Sequence, residues 1–135
     1  MNTAKVEALL NPTSVAILGA RENPVGWTAR IFGTLQRFKF PGPVYPVNPR
    51  HDEIWGVPCY ADLADLPAVP DHLVVMRAAA NVSAILREAA AMGTRSATIY
   101  AAGFSEMATD EGDFHGGDGT APPPLAYFAT GFTAC

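Results

Sequence analysis

Four short runs rich in apolar and β-branched residues recur along the chain: SVAIL from Ser14, VYPV from Val44, HLVVM from His72 and SATIY from Ser96. SVAIL does not alternate polar with apolar residues, which is the pattern of a strand buried on both faces. Helical spacing occupies two of the gaps between the runs. Ile31, Leu35 and Phe38 recur at that period along WTARIFGTLQRF, and Val82, Ile85, Leu86 and Ala89 share one face of NVSAILREAAAM, Asn81 to Met92. Gly93 follows at the position where a helix C-terminus favours glycine. Strands and helices in alternation predict an α/β fold with a parallel sheet and right-handed crossovers.

The punctuation agrees with that order. Lys5 to Leu10 reads as a short helix ended by Asn11-Pro12, because a residue before proline is biased out of the α region. Pro46 limits ladder pairing within the second run, and Asn48-Pro49 closes it. The stretch from His51 to Asp71 is rich in turn residues and holds at most a short helix near Ala61 to Leu66. Beyond Gly112 the pattern ends. Residues 113–135 contain no Lys or Arg but include Gly116-Gly117 and three consecutive prolines, so an irregular tail is expected after a domain spanning 8–112.

A chain of 135 residues is the size of one domain. Thirteen acidic against nine basic residues give a formal charge of −4, which argues against broad electrostatic capture of nucleic acid or an anionic membrane. Cys59 and Cys135 are too far apart in sequence to make a disulfide framework or a zinc motif. No uninterrupted apolar stretch approaches the roughly 18 residues of a membrane span. These features lead to the expectation of a soluble protein in a reducing cytoplasm, without nucleic-acid or membrane partners.

The first strand-to-helix turn is the most informative candidate site. In open α/β sheets ligands bind beyond the carboxyl ends of the strands, and free N–H groups at a helix start attract phosphate. Gly19 permits a tight turn there, and Gly26 allows close approach. Their spacing matches neither the dinucleotide GxGxxG pattern nor a GxxxxGK[ST] loop, so a plain structural turn is an alternative at this point. After the second run an NAD site would want a carboxylate, but the chain has Arg50 and His51. A cation suits a ribose phosphate, as in coenzyme A or NADP, and a solvated surface arginine explains it as readily. His51, His72 and His115 form no metal-ligand pattern. Cys59 reads as a packed thiol, and Ser105-Glu106 lacks a nucleophile elbow. No catalytic or metal-binding residue is assigned. The chain reads as a binder.

Three longer strings carry a family resemblance: LLNPTSVAILGARENPVGWTARIFGTLQ, FPGPVYPVNPRHDEIWGVPCYADLADLP and SATIYAAGFSE. In that order they resemble the N-terminal CoA-binding domain of NDP-forming acyl-CoA synthetases, also called acetate–CoA ligases (ADP-forming), which are related to the succinyl-CoA synthetase α subunit. The resemblance runs from about Ala8 to Gly112. It implies a Rossmann-like domain that binds coenzyme A or acyl-CoA. By position, Gly19, Ala20, Arg21, Val25 and Gly26 would wrap the phosphates and the start of the pantetheine arm. Val47, Asn48, Pro49 and Arg50 would border the adenosine, the loop after the third strand would line the arm, and Ala101, Ala102, Gly103 and Phe104 would face the thiol.

The chain also departs from that family. Arg21 stands where serine is usual, and Met76-Arg77-Ala78 replaces a Val-Pro-Ala sequence. The further helix, closing strand and ligase domain that follow in the family have no counterpart after Gly112, so the domain reads as truncated at its C-terminal end. Acid–CoA ligase activity, which in the family needs a phosphorylated histidine and an ATP-grasp domain, is not expected of this chain alone; a separate ligase or ATP-grasp subunit would be its partner. Two other readings stay open: an NAD(P)-binding module on the same fold, disfavoured by the missing GxGxxG and missing acidic residue, and a remnant that binds nothing.

Overall fold

The computed structural model describes residues 3–100. The apolar runs become strands β1 (Val15–Leu18) and β2 (Val44–Val47), then β5 (His72–Val75) and β6 (Ser96–Ile99). Between and before them lie α1 (Thr3–Leu10), α2 (Trp27–Arg37) and α3 (Ala79–Met92). The four strands form one parallel sheet in the order β2-β1-β5-β6. Val15 pairs with both Val44 and His72, and His72 pairs with Ser96, so all four strands start in step.

Both faces of the sheet are covered, which is why the central strands β1 and β5 are buried at every position. Val15, Ile17 and Val74 point to the side where Ile31, Phe32 and Leu35 of α2 pack. Ala16, Leu18, Leu73 and Val75 point to the other, against Val82, Ile85, Leu86 and Ala89 of α3. The face expected for the second long helix is the face that packs, although α3 starts two residues earlier than its sequence pattern, at Ala79. Gly93 ends it in the left-handed region with φ of +104°, and its amide donates to the Ala90 carbonyl.

Pro46 is tolerated in β2 because β2 is an edge strand among the described residues. Its carbonyl points outward to accept from the Tyr60 amide at 3.0 Å, so its missing N–H lies on the outer side too. Tyr60 also returns a carbonyl to the Asn48 amide at 2.9 Å, which covers the end of that edge.

The turn-rich stretch after His51 contains a hairpin that the sequence pattern does not announce. Strands β3 (Glu53–Ile54) and β4 (Val57–Pro58) pair antiparallel, and a single 3₁₀ turn follows at Leu63–Asp65. Both hairpin-turn residues, Trp55 and Gly56, have positive φ, 55° and 77°. Such a turn normally announces itself with Asn-Gly or Asp-Gly. Trp55 accepts the unfavourable backbone because its ring stacks on Phe32 with centroids 4.8 Å apart.

The strand starts opposite the helix-bearing turns are locked by polar groups. Asp71 accepts from the Thr13 amide at 3.0 Å and from Arg95 Nε at 2.7 Å, and it also forms an ion pair with that guanidinium. Burial pushes its carboxyl up, but the Thr13 amide and Arg95 outweigh this and hold it below its ordinary value. His72 is buried, with Nδ1 2.8 Å from Ser96 Oγ and Nε2 3.0 Å from Thr98 Oγ1. Burial lowers its pKa, and Asp71 opposes that only in part.

The two shifts have the same sign for stability. The unfolded chain takes up a proton on His72 near its ordinary pKa of about 6.5, before the folded chain does, so stability falls as pH drops below that value. The contribution of Asp71 is present above about pH 4 and is lost below it. Thermal melting between pH 8 and pH 5 should show a falling midpoint, and His72→Gln should flatten the fall. Identical pH slopes in the two proteins would contradict this assignment.

Candidate functional site

The order β2-β1-β5-β6 places the topological switch between β1 and β5: the chain leaves β1 toward β2 and later crosses back to the far side of β1. Beyond the carboxyl ends of these strands lies an open cleft of about 1010 Å³. This is at the upper end of the roughly 300–1,000 Å³ typical of small-molecule sites. Every described strand of the parallel sheet is followed by residues on its wall: Gly19 and Arg21 after β1, Asn48 to His51 after β2, Met76 to Ala78 after β5, and Tyr100 after β6.

The strand ends are joined by three backbone hydrogen bonds that step across the sheet. The Gly19 amide donates to the Val47 carbonyl at 3.1 Å, Met76 to Leu18 at 3.0 Å, and Tyr100 to Val75 at 2.8 Å. At this level no side chain fits on residue 19. Gly19 has φ of +82°, and a Cβ there would run into the Met76 carbonyl oxygen.

Asn48 holds the first two loops together. Its Nδ2 donates to the Ala20 carbonyl at 2.7 Å, and its Oδ1 accepts from the Arg50 amide at 2.9 Å. Its backbone carbonyl accepts from the Cys59 thiol at 3.6 Å. Burial pushes that thiol up, against the smaller opposing effect of its contacts with the Asn48 and Tyr60 carbonyls, so Cys59 stays protonated at neutral pH.

The loop from Arg21 to Gly26 is shaped by its own polar groups. The Arg21 amide donates to the buried Thr28 hydroxyl at 3.2 Å. Asn23 Oδ1 accepts from the Val25 amide and its carbonyl from the Gly26 amide. Gly26 is then the N-cap of α2 with extended backbone and no side-chain cap. Ala78, the N-cap of α3, likewise has no side-chain cap. Neither helix has an acidic residue in its first turn. Both helix starts reach the cleft, bringing uncapped N–H donors and the positive ends of two helix dipoles to one space.

The electrostatics reinforce this. Arg21, Arg50 and Arg77 line the cleft together with His51, and no carboxylate does among the described residues. In a chain of net charge −4, that is a local reversal of sign.

Of the residues singled out in the sequence, Gly19, Arg21, Gly26, Asn48, Pro49 and Arg50 line the cleft. Ala20 and Val47 are buried beneath it, and Val25 is exposed outside its lining. Ala101, Ala102, Gly103, Phe104 and the expected tail at 113–135 fall outside the described residues. Asn23, Trp27, Thr28 and Asn81 were not singled out. A helix-start signal could have found Thr28 and Asn81, since each sits in the first turn of a predicted helix facing the carboxyl ends of the strands.

The chain matches the CoA binding domain family over residues 13–116. It is 37% identical over 108 residues to a trans-feruloyl-CoA synthase from an unknown prokaryotic organism, covering 80% of this chain and 15% of that protein. It is 38% identical over 102 residues to acetate–CoA ligase (ADP-forming) of Methanocaldococcus jannaschii, covering 74% of this chain and 14% of that one. The α subunit of acetate–CoA ligase (ADP-forming) II of Pyrococcus furiosus is 30% identical over 75% of this chain and 22% of its own length. Among solved structures, the dinucleotide-forming acetyl-coenzyme A synthetase 1 of Ca. Korarchaeum cryptofilum, in complex with phosphate and ADP, superposes with a TM-score of 0.67. It is 30% identical, and the match covers 77% of this chain and 22% of that one. The chain thus spans less than a quarter of the length of each of these proteins.

Two substitutions probe the cleft floor. Gly19→Ala should cost at least about 2 kcal/mol, from left-handed backbone and a clash that the β1–β5 pairing cannot relieve. Asn48→Ala should cost about 1–3 kcal/mol by leaving the Ala20 carbonyl and the Arg50 amide without their partner. Urea unfolding of both variants measures these losses, and wild-type midpoints would contradict the loop geometry.

Proposed function

The chain belongs to the CoA-binding domain family, and from that premise we propose that it binds coenzyme A in the cleft at the carboxyl ends of β1, β2 and β5. One observation carries the reading: two uncapped helix starts and three arginines converge on a space that no described carboxylate lines. A ligand with several phosphate groups is the chemistry that such a space favours. The residues at the start of α2, from Arg21 to Thr28, offer backbone donors to the diphosphate. Arg50, whose amide is tied down by Asn48, offers its guanidinium to the ribose phosphate. Met76, Arg77 and Ala78 border the path of the pantetheine arm.

This is a module of an ADP-forming acyl-CoA synthetase, and coenzyme A is its substrate rather than a resident group. The family resemblance implies that the ligase reaction needs a nucleotide-binding domain and a phosphate-carrying histidine, and we infer that a separate subunit or a further domain supplies them. The existence of such ligases as assemblies with an α subunit supports this. The described residues contain no helix long and apolar enough to cross a membrane.

Calorimetry with coenzyme A, dephospho-CoA, NADH and NADPH is the test. Coenzyme A should bind, and Gly26→Leu should weaken it without unfolding the chain, because a Cβ there would press on the Asn23 carbonyl and deform the turn that lines the cleft. Arg50→Ala should lower the affinity for coenzyme A about three- to tenfold, the range of a partly exposed charge-assisted contact. The affinity for dephospho-CoA should change little. Preferential binding of NADH or NADPH, or equal coenzyme A affinity in Gly26→Leu, would overturn the reading. Mixed with acetate, ATP, magnesium and coenzyme A, the chain alone should form no acetyl-CoA, which chromatography of the products checks.

A further inference from the structure

Trp27 is the first residue of α2, lines the cleft and is 66% exposed. Burying an indole ranks among the largest apolar gains available to a side chain, so leaving one in water at the lip of a ligand cleft is costly unless something covers it. The other tryptophan behaves in the ordinary way. Trp55 is half-buried and stacked on Phe32. Trp27 has instead a single described ring contact: the Arg30 guanidinium, one helical turn on, sits 5.6 Å from its centroid. That contact sets a cation over the indole, and with the residue 66% exposed the ring stays open to a ligand.

Resting on the reading of the cleft as a coenzyme A site, we propose that Trp27 is the platform on which the adenine ring of the coenzyme stacks, making it a specificity-determining residue for the nucleotide end. Coenzyme A offers one flat π-surface, its adenine, whereas the pantetheine arm is a flexible chain with no plane to match. Trp27 directly follows Gly26, at the helix start proposed for the diphosphate, so base and phosphates are gripped by consecutive residues. The indole is sandwiched between the Arg30 cation and the purine. The Arg30 contact biases the ring before the base arrives, which reduces the side-chain freedom lost on binding.

Intrinsic fluorescence and calorimetry on the 135-residue chain test the proposal together. Coenzyme A should quench the Trp27 emission, while phosphopantetheine, which lacks the base, should not. The quenching should vanish in Trp27→Phe, where Trp55 is the remaining tryptophan. Trp27→Ala should weaken coenzyme A at least about fivefold, the low end of base–aromatic stacking, and Trp27→Phe should restore most of that loss. Unchanged affinity in Trp27→Ala, or quenching by phosphopantetheine equal to that by coenzyme A, would overturn the stacking assignment and leave the cleft reading intact. Failure of the wild-type chain to bind coenzyme A at all would overturn both.

Discussion

Position 19 cannot carry a side chain, and the cleft follows from that. The end of β1 lies so close to β5 that a Cβ on Gly19 would enter the Met76 carbonyl, while the backbone turns with positive φ. The close approach keeps the ladder intact to the last residue of both strands, as the hydrogen bonds from Gly19 to Val47 and from Met76 to Leu18 show. It also sends the loops after β1 and β5 outward on either side of the switch point. A bulkier residue would push the two strand ends apart and separate the helix starts that they aim.

The second requirement is that the loops hold their shape before a ligand arrives. Polar side chains accomplish this from beneath: Asn48 bridges the loops after β1 and β2, Thr28 anchors the Arg21 amide, and Asn23 folds the approach to α2. The arginines are thereby left to face the cleft rather than to build it. Preorganisation of this kind reduces the ordering cost of binding. The opposite ends of the strands are fixed by a different device, the ion pair of buried Asp71 with exposed Arg95, beside His72 held between two hydroxyls. The pH-sensitive part of the stability thus sits at the end of the sheet opposite the ligand cleft.

Much of the frame was legible in the sequence because it rests on local patterns. Runs such as VAIL and HLVV cannot sit on a half-solvated face, and Val82, Ile85, Leu86 and Ala89 repeat at one helical period, so the parallel sheet and its covering helices follow. The β3–β4 hairpin was not legible, since Trp55-Gly56 is an unusual pair for its turn and depends on a distant partner, Phe32. The site was legible only in outline. Gly19 and Arg50 stand at strand ends, where the topology rule points. The role of Asn48 as a bridge required knowing that Ala20 lies within reach, and Trp27 reads in sequence as one more apolar residue of an amphipathic helix until its exposure is seen.

A single coenzyme A molecule that engages the loops after β1, β2 and β5 at once protects all three together. Amide hydrogen exchange with and without coenzyme A measures this directly. Slowed exchange in three separate stretches, near residues 19–28, 48–51 and 76–81, with β3–β4 unchanged, is the predicted result. Protection confined to a single loop, or centred on the groove between Phe32, Tyr45 and Tyr60, would contradict the account.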